Sequence, residues 1–224
     1  MIKNISNLGD AALYCDFGTE VNKQINSEVI KYFYNIKEKN INGINNLTPS
    51  YNKLIISFDL KITNFKRIKK IVESITINET QKFNNKKLEI PVCCDAKFSL
   101  DIKRLEKKLN LDREHILEVF FNKEFFCYMT GFIAGMPFLG DLEEKMRAQR
   151  LETPRVKVPK GSIGLTEQFA NIYTFESPGG WNIIGNTPLN VFDSTKEKEP
   201  NLINPGDTVK FKRINMEEYK DFNG

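Results

Sequence analysis

One histidine in 224 residues is the first scarcity this chain shows. That residue, His115, lies in "DREHILEVF", and alone it builds no His-rich metal site. Any Ser–His or Cys–His nucleophile pair would have to use it. The four cysteines, Cys15, Cys93, Cys94 and Cys127, form no C-x-x-C pair and have no histidine cluster to complete a zinc site. They sit in three apolar, strand-like stretches, "ALYCDF", "IPVCCD" and "FFCYM", which reads as buried free thiols. No G-x-x-x-x-G-K-[ST] loop, no G-x-S-x-G elbow and no H-E-x-x-H pair is present. No apolar run approaches the about 18 residues needed to cross a bilayer. The opening "MIKNISNLGDAALYCDFG" lacks the apolar core and cleavage site of a secretion signal, so the expected location is cytoplasmic.

What is present fits a folded, water-soluble chain, with 40% hydrophobic and 28% charged residues. The net charge is +4, but the lysines are scattered among Glu and Asn. The densest cluster, "FKRIKK", shares a predicted helix with Ile68, Ile71, Val72 and Ile75 and reads as a solvated face, not a nucleic-acid patch.

The first part of the chain alternates between strand and helix patterns. "AALYCDFG" is strand-like, and Ile25, Val29, Ile30, Phe33 and Ile36 recur at helical spacing. "INNLTPSY" and "KLIISFD" read as two strands with a turn around Asn52. "NFKRIKKIVESI" is a second amphipathic helix with Asn64 as N-cap, and "LEIPVCC" is a further strand. This β-α-β-β-α-β order over about the first 95 residues predicts a ferredoxin-like α+β arrangement, with the N-terminal domain placed at 1–86 and the boundary falling between Thr80 and Cys94. Polar "NETQKFNNKK" reads as a loop or hinge near its end. Two short helices follow, one beginning near Ser99 and one capped by Asp112. From Phe125 the chain turns to short apolar runs broken by Gly and Pro, which predicts a β-barrel or sandwich; the second domain is placed at 87–224. "NMEEYKDFNG" reads as a frayed or lightly docked terminus.

Two segments concentrate backbone constraint. "GFIAGMPFLGDLEEKMRAQRLETPRVKVPKGSIG" carries five glycines, three prolines and many charges, and by composition reads first as a surface excursion between barrel strands. "ESPGGWNIIGNTP" holds three glycines, two prolines and the only tryptophan. "SPGG" in it reads as a type II turn, with Pro178 presetting φ and Gly179 supplying a positive one. Backbone N–H groups in such a turn are also able to bind an anion.

These strings stand in the order of a known family. "NLGDAALYCDFG", "LTPSYNKLIISFD", "LEIPVCCD", "MPFLGDL", "TPRVKVPKGSIG", "IYTFESPGGWNIIGNTPLNVFD" and "INPGDTVKF" cover nearly the whole chain. The sequence resembles the family that holds the B subunit of 5-oxoprolinase, allophanate hydrolase subunit 1 and the Kip-type sporulation-kinase inhibitors. The resemblance implies an N-terminal α+β domain followed by a cyclophilin-like β-barrel. It implies ATP-dependent opening of the 5-oxoproline lactam to L-glutamate, with Mg2+ accompanying ATP. It also implies a larger carboxyltransferase-like partner and a third subunit, with ATP held at an interface or on a partner. The sequence departs from the family pattern at Ala134, Met136, Phe138, Phe169, Ala170, Asn171 and Asn186, and has Phe120 or Phe121 where a histidine is common.

Motif membership selects the candidate residues. Arg155, Lys157 and Lys160 are the cations for an anionic group. Ser177, Gly179, Gly180 and Asn186 are further substrate or phosphate contacts, and Glu176 or Asp141 is the water-positioning group. Two other functions remain open on the sequence: a non-catalytic inhibitor of a sensor histidine kinase, and part of a urea-carboxylase-like carboxyltransferase.

Overall fold

The computed structural model describes residues 1–76 and 85–222. The chain divides into two compact units, Met1–Asn84 and Asn85–Gly224.

The first unit holds strands β1 (Asn4–Asn7), β2 (Ala12–Asp16), β3 (Ile44–Pro49) and β4 (Lys53–Phe58), with helices α1 (Lys23–Glu38) and α2 (Phe65–Glu73). The strands pair antiparallel in the order β1-β2-β4-β3. Both helices begin at an asparagine whose side chain accepts a backbone N–H: Asn22 from Ile25 and Asn64 from Arg67. Val29, Ile36, Ile68 and Val72 project from the helices into one core with Leu13, Cys15, Leu54, Ile56 and Phe58 of the sheet.

Strands β2, β4 and β3 with α1 and α2 supply the expected split βαβ core. The edge beside β2 differs from the expectation. It is filled by β1, while "LEIPVCC" belongs to the second unit as strand β5 (Lys87–Cys93). The last four residues of β5, Ile90 to Cys93, are all buried, a continuous pattern suited to a strand covered on both sides. Of "NETQKFNNKK", residues 78–84 lie outside the described residues.

The second unit is built on a closed barrel in the order β10-β7-β6-β13-β5-β12-β9. Its remaining strands are β6 (Glu124–Thr130), β7 (Pro137–Gly140), β9 (Ser162–Thr166), β10 (Phe169–Ile172), β12 (Asn182–Asn186) and β13 (Thr208–Ile214). The β5–β13 pair is parallel and the other pairs are antiparallel. Alternate residues Ile163, Leu165, Ala170, Ile172, Val209 and Phe211 enter the core. Helices α3 (Ile102–Leu109) and α4 (Arg113–Asn122) add Leu105, Ile116, Leu117 and Phe120 to it. Phe120 stacks on Phe211 with ring centroids 4.8 Å apart. Asp112 caps α4 through the His115 N–H, and the His115 side chain is exposed.

All four cysteines are buried free thiols. The terminal segment is lightly docked up to residue 222. Asn215 and Glu218 form a capping box that starts α5 (Met216–Asp221), and Tyr219 docks against Phe98 and bonds Asn186. Among the described residues, no helix is long and apolar enough to cross a membrane.

Candidate functional site

"PRVKVPKG" and "ESPGGW" meet as strand partners. Strands β8 (Arg155–Val158) and β11 (Ser177–Gly179) form an antiparallel ribbon outside the barrel's ring of strands. Ser177 stands opposite Val158 and Gly179 opposite Arg155, with a register shift between the pairs. Residues opposite each other, and residues two apart, share a face of such a ladder. The register shift brings Arg155 and Val158, three residues apart, to the covered side with Ser177 and Gly179, while Lys157 is exposed and Val156 is 80% exposed. Under the ribbon lies a small apolar cluster of Met136, Tyr173 and Ile183, joined by Val158 and bordered by Ile133 and Phe138. Trp181 follows the ribbon and sets its ring edge-on to Phe138 at 5.6 Å.

The type II turn expected at "SPGG" is not there. Ser177–Gly179 is strand, and neither Gly179 nor Gly180 has a left-handed φ. Gly179 is required by a close approach instead. A Cβ on it would lie 2.1 Å from the Tyr173 hydroxyl. That hydroxyl is buried, which raises its pKa, and it interacts with the Asn171 side chain and the Trp181 backbone N–H. Gly180 has more room: its nearest neighbours would be Pro154 Cγ at 3.5 Å, with Arg150 Nε and the Leu151 carbonyl at 3.6 Å. Its carbonyl accepts the Leu151 N–H at 2.7 Å, which ties the segment entering β8 to the end of β11.

A largely covered ion pair beside the ribbon does not stand out in the sequence. Asp101 occupies the N-cap slot of α3 but makes no side-chain capping bond. Its Oδ1 accepts Arg155 Nη2 at 2.6 Å and its Oδ2 accepts the Ile183 N–H at 2.7 Å. The Asp101 N–H in turn donates to the Ile183 carbonyl at 2.9 Å. Asp101 is 4% exposed, so removing either member of this pair would strand a covered charge. Beside it, Arg104 donates to the side chain of Asn182, whose amide donates to the carbonyls of Gln149 and Leu165. These bonds hold the 147–151 segment against α3 and β12.

Two donors on the covered face have no acceptor. Arg155 Nη1 and Ser177 Oγ are both buried without a hydrogen-bond partner. An unmet buried polar group costs about 1–3 kcal/mol, so two in one ribbon require a reason.

The other candidates are placed differently. Lys157 and Glu176 pair with each other at 3.1 Å on the exposed side of the ribbon. The Lys160 side chain is exposed, and its carbonyl accepts the Asn186 amide at 2.8 Å. Asn186 is 4% exposed, and its oxygen accepts the Tyr219 hydroxyl at 2.7 Å. It therefore clamps the Pro159–Gly161 turn to α5. Asp141 follows β7 and accepts the Tyr128 hydroxyl at 2.6 Å. Burial and this bond both push the Tyr128 pKa upward. The ribbon thus gathers Arg155, Lys157, Ser177 and Gly179, with Glu176 directly before β11 and Gly180 directly after it. Asp101, Arg104, Tyr173 and Asn182 join the site only through the structure; no motif marks them. Among the described residues, no three His, Cys, Asp or Glu side chains are grouped to hold a metal ion.

A family model described as the carboxyltransferase domain, subdomain C and D, matches residues 3–203. The chain belongs to this family. It is 34% identical to the B subunit of the Bacillus subtilis 5-oxoprolinase, over 96% of this chain and 94% of that protein. The fold is seen in solved structures as well. The structure of TTHA0988 superposes with a TM-score of 0.82 at 26% identity, covering 92% of this chain and 40% of that one. The Kluyveromyces lactis urea carboxylase shares the fold, with a TM-score of 0.78 at 18% identity over 97% of this chain and 22% of that one.

Proposed function

We propose that the chain is the B subunit of a 5-oxoprolinase, acting with partner subunits to open the 5-oxoproline lactam to L-glutamate. The observation that carries this reading is the end-to-end similarity to the B subunit of a 5-oxoprolinase, 34% identical over 96% of the chain. The five-membered lactam is resonance-stabilised and little strained, so water attacks it slowly. Coupling to ATP hydrolysis supplies the driving force by activating the amide oxygen.

The sequence carries no Walker-type phosphate loop, and nucleotide binding is assigned to a partner or to the interface with one. This chain's part is to hold the organic substrate. Arg155 supplies positive charge from a fixed position, because Asp101 anchors one side of its guanidinium. Lys157 and Glu176 sit on the outer side of the same ribbon, where Glu176 is able to orient a water molecule once a partner covers it. Asp141, held by Tyr128, is the second group proposed for that role.

The test is co-expression with the genes that flank this one, followed by a glutamate-release assay. Glutamate is expected from the assembled complex with 5-oxoproline and ATP, and none from this chain alone. ATP-dependent release by the purified single chain would overturn the division of labour. A neighbouring sensor kinase that this chain inhibits, with no glutamate formed by any assembly, would overturn the function.

A further inference from the structure

We propose that the covered face of the ribbon is a carboxylate-binding subsite, with Arg155 Nη1 and Ser177 Oγ as its two donors and Asp101 as their positioning residue. The proposal deepens the function above and rests on it for the identity of the ligand, the α-carboxylate of 5-oxoproline.

The geometry begins with Asp101. Aspartate in a helix N-cap slot normally accepts a backbone N–H from the first turn. Here the carboxylate is turned away from α3 and spends both oxygens elsewhere, one on Arg155 Nη2 and one on the Ile183 N–H. Both oxygens are directed, so the aspartate is fixed from two sides, and it fixes the guanidinium. A guanidinium carries five N–H donors in a rigid fork. Asp101 engages one arm. The other arm, Nη1, is buried and has no acceptor.

Ser177 makes the second half. Its residue is 9% exposed and its hydroxyl has no partner. Strand register places it two residues from Gly179, the partner of Arg155, across a register shift. One cationic and one neutral donor are left unpaired on a covered face whose own carboxylate is already engaged. That combination is complementary to one further oxyanion. The Arg155 side chain keeps 28% of its surface exposed, while Nη1 and Ser177 Oγ are themselves covered.

The shared chemistry of this subsite is an oxyanion, and a phosphate group is the other source of one. The experiment separates them on the assembled enzyme. Ser177→Ala removes a hydroxyl that makes no bond within the protein, so the melting temperature is expected to stay at or above the wild-type value. The KM for 5-oxoproline is expected to rise about tenfold, the loss of one hydrogen bond to a charged group, with a smaller change in kcat. Asp101→Asn keeps an acceptor for the Ile183 N–H and removes the ionic hold on Arg155, and it is expected to raise KM at least as much. Binding of 2-pyrrolidinone, the same lactam without a carboxylate, is expected to be equal in wild type and Ser177→Ala. Unchanged KM for 5-oxoproline in both variants refutes the subsite. A variant that alters inhibition by inorganic phosphate, and not the KM for 5-oxoproline, refutes the carboxylate assignment.

If no assembly opens 5-oxoproline, the function itself falls, and the subsite is judged separately. The isolated chain is then titrated with L-5-oxoproline and with L-glutamate, read by the fluorescence of Trp181. Saturable binding weakened in Ser177→Ala supports the subsite, and no binding by the wild type overturns it.

Discussion

Gly179 and Gly180 are adjacent, and the structure assigns them opposite sensitivities. A Cβ on Gly179 would meet Tyr173 at three atoms: the hydroxyl oxygen at 2.1 Å, Cζ at 2.8 Å and Cε1 at 2.9 Å. Tyr173 is 1% exposed, and its hydroxyl is engaged by Asn171 and Trp181, so the ring has nowhere to go without breaking those contacts. Overpacking costs about 1–3 kcal/mol, and loss of a hydroxyl bond adds about 1 kcal/mol. Gly179→Ala is therefore expected to destabilise the barrel unit by about 2–4 kcal/mol. Gly180→Ala places its methyl at ordinary van der Waals distance, 3.5 Å or more from any neighbour, with a φ that alanine adopts freely. Its expected effect is within about 0.5 kcal/mol of zero. Urea unfolding followed by the fluorescence of Trp181, the only tryptophan, reads the unit that contains both glycines. Equal effects at the two positions, or a Gly179→Ala variant as stable as wild type, would refute the packing of Tyr173 under the ribbon.

Further outcomes follow from burial. Trp181→Ala removes a ring that is 9% exposed and packs on Phe138, and circular dichroism in urea should show a loss of about 3–5 kcal/mol. The native protein should leave its four thiols unreactive toward a disulfide reagent at pH 8, and all four should react in denaturant. Burial pushes the Cys15 and Cys94 thiols up to about 12, above their unfolded value. The unfolded chain then binds fewer protons than the native one, so stability should fall as pH rises from about 9 toward 12, by up to about 1.4 kcal/mol per pH unit for each thiol. Stability that stays flat across that range would contradict the burial of these groups.

Helices and their caps were legible because they depend on local spacing. Asn22, Asn64 and Asp112 each cap within their own first turn, and Asn64 and Asp112 stand out as caps in the sequence itself. Strand partnership was not legible where it depends on distant chain. "LEIPVCC" reads as a strand in isolation, but only its parallel pairing with β13 decides which sheet it joins. "SPGG" has turn composition, and its strand conformation comes from β8, over which nothing local gives control. The same holds for the site. Arg155 and Ser177 are found through motif membership. Asp101 is hidden because an aspartate near the start of "DIKRLEKKL" is indistinguishable from a helix cap until Arg155 and Ile183 are seen to take its oxygens. A signal is available only in the excess of caps: Ser99 already stands at the start of that helix.

The central claim, that this chain is a required part of an ATP-driven lactam hydrolase, is tested most directly by omission. The subunits encoded beside it are purified separately and mixed with 5-oxoproline, ATP and magnesium, with and without this chain. Glutamate and phosphate are measured in the same tube. The account predicts equal amounts of the two products in the complete mixture and no glutamate when this chain is left out. Glutamate formed at the same rate without it would contradict the account.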